Sequence, residues 1–242
     1  VEDVLVAVPW AATAPEREAA LGWVARQWGD TGLPHGQLVL GLGLTETGEW
    51  CKALGVEHAI TDQPGDILVI SDADVFTPGV VEAIERVRAG APWVIPHHKV
   101  HRLNPLATRD VLDGRPPHVG MPLDRSFGPD IPGIAYAGVM GGGIVVLRRD
   151  VYEDCPLDPR FVGWGQEDES WGLALRCLHG PPARLSAPLW HLWHPPQPRM
   201  NRGTGSDGSA ALYRRYSKAR RRPDEMRALI AEGRTACSLQ PR

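Results

Sequence analysis

Cysteine is scarce and scattered. The four cysteines, Cys51, Cys155, Cys177 and Cys237, form no Cys-X-X-Cys pair. That spacing argues against a structural zinc site and a disulfide scaffold and makes reduced thiols the default. Lysine occurs only at 52, 99 and 218 while arginine abounds; beside the many Ala, Gly and Pro residues, this reads as coding bias rather than chemistry. No apolar run approaches the roughly 20 residues needed to span a bilayer, so no membrane span is expected. The chain begins at Val1 with a short strand-like run rather than a charged stretch and an apolar one. No signal peptide and a cytoplasmic location are therefore expected. Charge of one sign is missing too: a net charge of −3 and a pI near 6.3 give no global pull toward nucleic acid or an anionic membrane.

What is present is an ordinary globular composition, 43% hydrophobic and 23% charged over 242 residues, with enough chain for a substantial core. Strand-like and helix-like runs alternate. Val4 to Val8 is nearly all apolar and stops at Pro9, the pattern of a strand buried on both faces. Glu16 to Trp28 carries Ala19, Ala20, Trp23, Val24 and Trp28 at helical spacing. Gln37 to Gly41 reads as a strand, Thr47 to Val56 as a short helix, and Asp66 to Ser71 as the third strand. Pro78 to Arg88 is a helix with Gly90 just past its end, and Pro92 to Pro96 is another short strand. This alternation predicts a mostly parallel, twisted, doubly wound α/β sheet flanked by helices in a single domain, with ligands at the carboxyl ends of its strands. His97 to Ala137 reads as a long irregular segment, and Gly141 to Leu147 as a strand. Ser170 to Leu178, Ala210 to Ala219 and Pro223 to Ala231 read as helices.

Three segments carry candidate chemistry. Asp72 and Asp74 end the third strand one residue apart, so alternation would place both on one side. Hard oxygen ligands there suit Mg²⁺ or Mn²⁺ carrying substrate phosphates; an acidic turn after a buried strand is the plainer alternative. Because Asp74 sits at a strand end, Asp74→Ala is expected to spare the fold. Gly163-Trp164-Gly165-Gln166-Glu167-Asp168-Glu169 puts three acids at the start of a helix, where they could simply cap it. Its Gly-Trp-Gly lead-in allows close backbone approach beside a flat aromatic surface. His191 and His194 follow Leu189-Trp190, as packed core residues or as completions of a metal site.

Taken together and in order, Asp66 to Asp74, Gly141 to Asp168 and His191 to His194 resemble nucleotide-sugar glycosyltransferases of the GT-A fold, which is Rossmann-like. The likeness is to family 2-like enzymes and to the galactosyltransferase C-terminal region, and is strongest from Gly141 to His194. The resemblance implies a metal-dependent, inverting transfer from a nucleotide-sugar to an acceptor hydroxyl. Asp74 would ligate Mn²⁺ or Mg²⁺, and Asp72 would contact the ribose or the metal through water. His191 or His194 would complete the metal sphere. Asp168 would be the general base, ionised by a low pKa at its helix start, and Glu167 would position the acceptor. Trp164 and Gly165 would contribute to the sugar site. Pro9 and Trp10 would hold the nucleobase, although Trp10 equally suits a packing role. Residues 1–96 would form the donor half, 97–200 the acceptor half, and 201–242 a flexible loop with closing helices. The run Gly41 to Glu46 lacks an acid directly after the second strand, where many relatives contact the base; UDP is the expected nucleotide.

Between Arg199 and Arg222 eight Lys or Arg residues face one acid, Asp207. A solvated helix face, a mobile arm in which Arg199 or Arg202 clamps the donor diphosphate, and a track for DNA carrying hydroxylated bases all fit. The acceptor is thus a glycan, a small molecule or modified DNA. A sugar-nucleotide nucleotidyltransferase is a rival for the fold, but Pro9-Trp10-Ala-Ala-Thr lacks the Gly-rich basic loop expected after its first strand.

Overall fold

The computed structural model describes residues 3–12, 14–33, 36–126, 133–195 and 207–238. The chain runs through β1 (Val4–Trp10), α1 (Pro15–Asp30), β2 (Gly36–Leu42), α2 (Lys52–Ile60), β3 (Ile67–Ser71) and β4 (Val75–Phe76). It continues through α3 (Val80–Arg88), β5 (Trp93–Ile95), β6 (Lys99–Arg102), α4 (Pro105–Leu112), β7 (Ile144–Arg148) and α5 (Arg149–Asp154). Last come α6 (Glu167–His179), β8 (Ala183–Arg184), β9 (Pro188–His191), α7 (Asp207–Ala219) and α8 (Pro223–Ser238).

The main sheet has the order β2-β1-β3-β7-β5-β8. All its pairings are parallel except the two that β7 makes with β3 and β5, so β7 alone runs against the others. The expected fold class, a mostly parallel α/β sheet between helices, is the one observed. Alternate residues of the inner strands enter two separate cores. Val4, Val6 and Val8 of β1, Ile67 and Val69 of β3, and Ile144 and Val146 of β7 pack with α1 and α3. Leu5 and Ala7, Leu68 and Ile70, and Val145 and Leu147 pack with α2, α5, α6, α7 and α8. Burial on both faces explains why these strands are unbroken apolar runs rather than alternating ones. Each fully buried Val, Leu or Ile contributes about 1.5–3 kcal/mol relative to exposure.

A second sheet, β4-β9-β6, begins with β4 just after the carboxyl end of β3. Helix α1 grips it through Trp23 and Trp28, whose rings meet Phe76 edge-on at 6.2 and 5.5 Å. Such pairs add about 0.5–1.5 kcal/mol each beyond area burial. This contact fixes α1 over the turn between β3 and β4.

Two boundaries differ from expectation for local reasons. The second helix begins at Lys52, not Thr47, because Thr45 to Glu49 closes a turn: the Thr45 amide donates to Glu49 O at 2.8 Å, and Gly48 sits at φ 79°. The Thr45 and Thr47 hydroxyls bond within that turn and compete with the helix. The segment from His97 is not wholly irregular. It holds β6 and α4, the latter started by Asn104, whose side chain accepts from the Ala107 amide at 2.8 Å, with Pro105 in the first turn. No helix among the described residues is long and apolar enough to cross a membrane.

Candidate functional site

Strand β3 ends at Ser71, and Asp72 to Asp74 form a turn before β4. Strand alternation therefore does not govern the two acids, and they face different partners. This corrects the expectation of one shared side.

Asp74 is buried. Its Oδ2 lies 3.0 Å from His194 Nε2 and 3.8 Å from Arg17 Nη1, and its Oδ1 lies 3.7 Å from His191 Nε2. Asp74, His191 and His194 each offer a ligand atom, and the three atoms lie within 4.8 Å of one another. Both histidines, which the sequence left as alternatives, thus converge on one carboxylate. Backbone bonds fix them there. The Leu192 amide donates to Asp74 O at 2.9 Å, and the Trp193 amide donates to Thr108 Oγ1 of α4 at 2.8 Å. Burial works against charge on Asp74, but His191, His194 and Arg17 hold its carboxyl well below the usual carboxylate range. Burial, with the nearby Arg102, pulls His191 down to about 3 against the pull of Asp74, leaving a neutral imidazole. An ionised carboxylate beside neutral imidazole is the state a metal ligand set requires.

Arg17, the third residue of α1, is buried and has no local sequence pattern that marks it. Its guanidinium stands 5.0 Å over the Trp164 ring, and Nη2 reaches His194 Nδ1 at 3.3 Å. Trp164 stacks on Trp50 at 5.6 Å with an interplanar angle of 12°, and Trp164 is 37% exposed. The flat aromatic surface after Gly163 is thus one face of a stacked pair. Pro9 packs beneath α2 near Gly55, and Trp10 packs against the α1-side core; both have packing roles here.

Asp72 does not join the histidine cluster. Its Oδ1 accepts from Lys52 Nζ at 2.6 Å, and its Oδ2 accepts from the Gly143 amide at 3.2 Å. Lys52 also donates to Asp168 Oδ1 at 2.7 Å. The lysine, only 4% exposed, thus ties the end of β3 to the start of α6. Burial opposes its charge, but Asp168 and Asp72 outweigh burial and hold the ammonium above the usual lysine range.

Helix α6 starts where Gln166, at φ 74°, turns the Gly163-Trp164-Gly165 loop inward. Glu167 is buried and accepts from the Gly165 amide at 2.8 Å, tying the loop to the helix start, while the first-turn amides of α6 receive no side-chain cap. Gly141 and Gly172 let β7's lead-in touch α6: a Cβ on Gly141 would lie 2.1 Å from Asp168 O. Burial pushes the Asp168 carboxyl up to about 7, with Glu167 and Asp72 adding to the push and Lys52 opposing it. The low pKa expected from the helix dipole is overridden by burial among like charges.

Arg199 and Arg202 lie outside the described residues, as do the neighbouring residues 196–206. Further along, Arg215 pairs with Glu232, Arg222 with Glu225, and Arg220 donates to Ser217 O. These three serve the α7–α8 pair itself.

No family model matches the sequence, and the comparison with curated proteins finds no match. Solved structures similar to the chain include the catalytic domain of Drosophila β1,4-galactosyltransferase 7 in complex with xylobiose. The identity there is 14% and the TM-score 0.44, over 76% of this chain and 65% of that one. The chain thus spans less than two thirds of that structure. Another is glucosyl-3-phosphoglycerate synthase from Mycobacterium tuberculosis with Mn²⁺, UDP-glucose and phosphoglyceric acid. It shows 16% identity and a TM-score of 0.49 over 90% of this chain and 79% of that one. At such identities the likeness carries no chemistry, and the site rests on its own geometry.

Proposed function

We propose that this protein is a metal-dependent glycosyltransferase of the GT-A type, moving a sugar from a nucleotide-sugar, with UDP the expected nucleotide, to an acceptor hydroxyl with inversion. The observation that carries the reading is the junction at the end of β3. There a largely buried Asp-His-His set sits two residues along the chain from an acid joined through Lys52 to Asp168.

Asp74, His191 and His194 would hold the ion. A donor set of one carboxylate and two imidazoles suits Mn²⁺ better than Mg²⁺, which favours oxygen ligands throughout. When bound, the ion supplies positive charge against the diphosphate leaving group. Residues 1–96 would form the donor half and 97–200 the acceptor half. The Trp50–Trp164 pair would give the sugar an apolar face, and Arg17 beneath it would add positive charge near the phosphates. Asp168, with its carboxyl near neutrality, suits a general base at physiological pH. In the transfer the acceptor oxygen bonds to the anomeric carbon and its proton passes to Asp168. The broken sugar–phosphate bond leaves its electron pair on the diphosphate.

Incubation with a panel of UDP-sugars, with Mn²⁺ or with a chelator, tests this through UDP release. Release should require Mn²⁺ and one preferred donor. Neither hydrolysis nor transfer with any nucleotide-sugar, together with no UDP binding by calorimetry, would refute it.

A further inference from the structure

We propose that Lys52 is a positioning residue of the transfer reaction: it fixes the Asp168 carboxylate by Oδ1 and leaves Oδ2 to take the acceptor's proton. This deepens the glycosyltransferase reading and rests on it.

A lysine at this position is costly to the fold. Lys52 is the first residue of α2, where the helix dipole favours acids and disfavours a cation. It is also 4% exposed, so its charge is desolvated. A buried ion pair is seldom the best way to stabilise a fold, because apolar residues of like volume serve as well or better. The two carboxylates that offset this cost, Asp72 at 2.6 Å and Asp168 at 2.7 Å, are 20 and 116 residues away. They are the acids at the two ends of the proposed chemistry, one on the donor side and one the base.

The pair is asymmetric in a useful direction. The Lys52 side chain is shut off, whereas that of Asp168 is 22% exposed. Asp168 Oδ2 lies 3.0 Å from where a Cβ on Gly142 would stand, so glycine at 142 keeps space beside the oxygen that Lys52 does not bind. The charged groups facing Asp168 are Lys52 from α2, Asp72 after β3 and the adjacent Glu167 of α6. Among these Lys52 is the one cation. Without it three acids would share a largely buried space, and the base would hold its proton at neutral pH.

The test is Lys52→Met, with Lys52→Gln alongside in case the first fails to fold, and Lys52→Arg as the rescue. In the variants kcat at pH 7 should fall about a hundredfold, the size of a lost base. Donor KM should change little, and the acidic limb of kcat against pH should move up by more than one unit. Arginine should restore most of the rate. A second readout needs no turnover: ¹³C titration of the Asp168 carboxyl should move up in Lys52→Met relative to the parent protein. An unchanged titration and an unchanged acidic limb would overturn the proposal. If the parent protein transfers no sugar at all, the glycosyltransferase reading fails, and the carboxyl titration still decides whether Lys52 controls Asp168.

Discussion

Asp74→Ala is expected to do two separable things, and their sizes follow from the site. Asp74 is 6% exposed and sits against Arg17, whose side chain is 9% exposed, and against two imidazoles. Deleting it strands a buried guanidinium without its carboxylate. Breaking a buried pair by removing one partner costs about 3–5 kcal/mol. The Arg17–Asp74 separation is long, at 3.8 Å, and Arg17 keeps its Trp164 face. The lower end of that range, about 3 kcal/mol, is therefore the expected loss without metal. The premise behind expecting the fold to be spared, a strand-end position outside the core, does not hold, because Asp74 lies past the end of β3 and is buried. The second effect appears with metal. The parent protein should gain about 2.7 kcal/mol when Mn²⁺ is present at about 100 times its dissociation constant, and the variant should gain none. The gap between the two proteins should then widen from about 3 to about 6 kcal/mol. Urea unfolding followed by tryptophan fluorescence, in chelator and in Mn²⁺, measures both. An equal Mn²⁺ shift in both proteins would mean that the ion binds elsewhere. Equal stability in chelator would mean that Asp74 contributes nothing to holding Arg17.

Three further predictions address Asp168 and its support. Asp168→Asn should keep UDP and Mn²⁺ affinity by calorimetry while kcat falls about 10²–10⁴-fold; near-normal turnover would return Asp168 to a structural role. With its carboxyl up at about 7, turnover in the parent protein should rise through neutrality, and a flat profile from about pH 5 to about pH 9 would contradict the assignment. The sign for stability is opposite. A carboxyl raised in the folded state favours folding when protonated, so its contribution is present below about pH 4 and is lost as pH rises through about 7. Gly141→Ala should lower stability by about 3 kcal/mol or more in a thermal melt, because its Cβ would stand 2.1 Å from the backbone oxygen of Asp168 and neither backbone can yield cheaply. A melt matching the parent would show that β7's lead-in does not press on α6.

The sheet was legible because burial writes itself into sequence. Strands buried on both faces must be apolar at every position, so β1, β3 and β7 stand out, and α1 and α3 show one apolar stripe each. Short elements were not legible. Strands β4, β8 and β9 have two to four residues, too few to show a period, and exist through the partners they meet. Helix α4 did leave a signal in Asn104-Pro105, but it lay in a proline-rich stretch whose texture argued for loop.

The acids and histidines of the site were found from sequence because each belongs to a short local pattern. The cations were not, and the reason is physical. A carboxylate pair at a strand end or an acidic helix start has a meaning set by its near neighbours in the chain. Lys52 acquires its meaning only from Asp72 and Asp168, and Arg17 only from Asp74, Trp164 and His194, all distant in sequence. The one available sign was Lys52 itself, a charged residue amid Trp50, Cys51, Ala53 and Leu54 in a chain with three lysines. Scarcity alone reads as compositional bias. Yet a bias toward arginine makes each surviving lysine more informative, above all one set in an apolar stretch where a buried charge is costly.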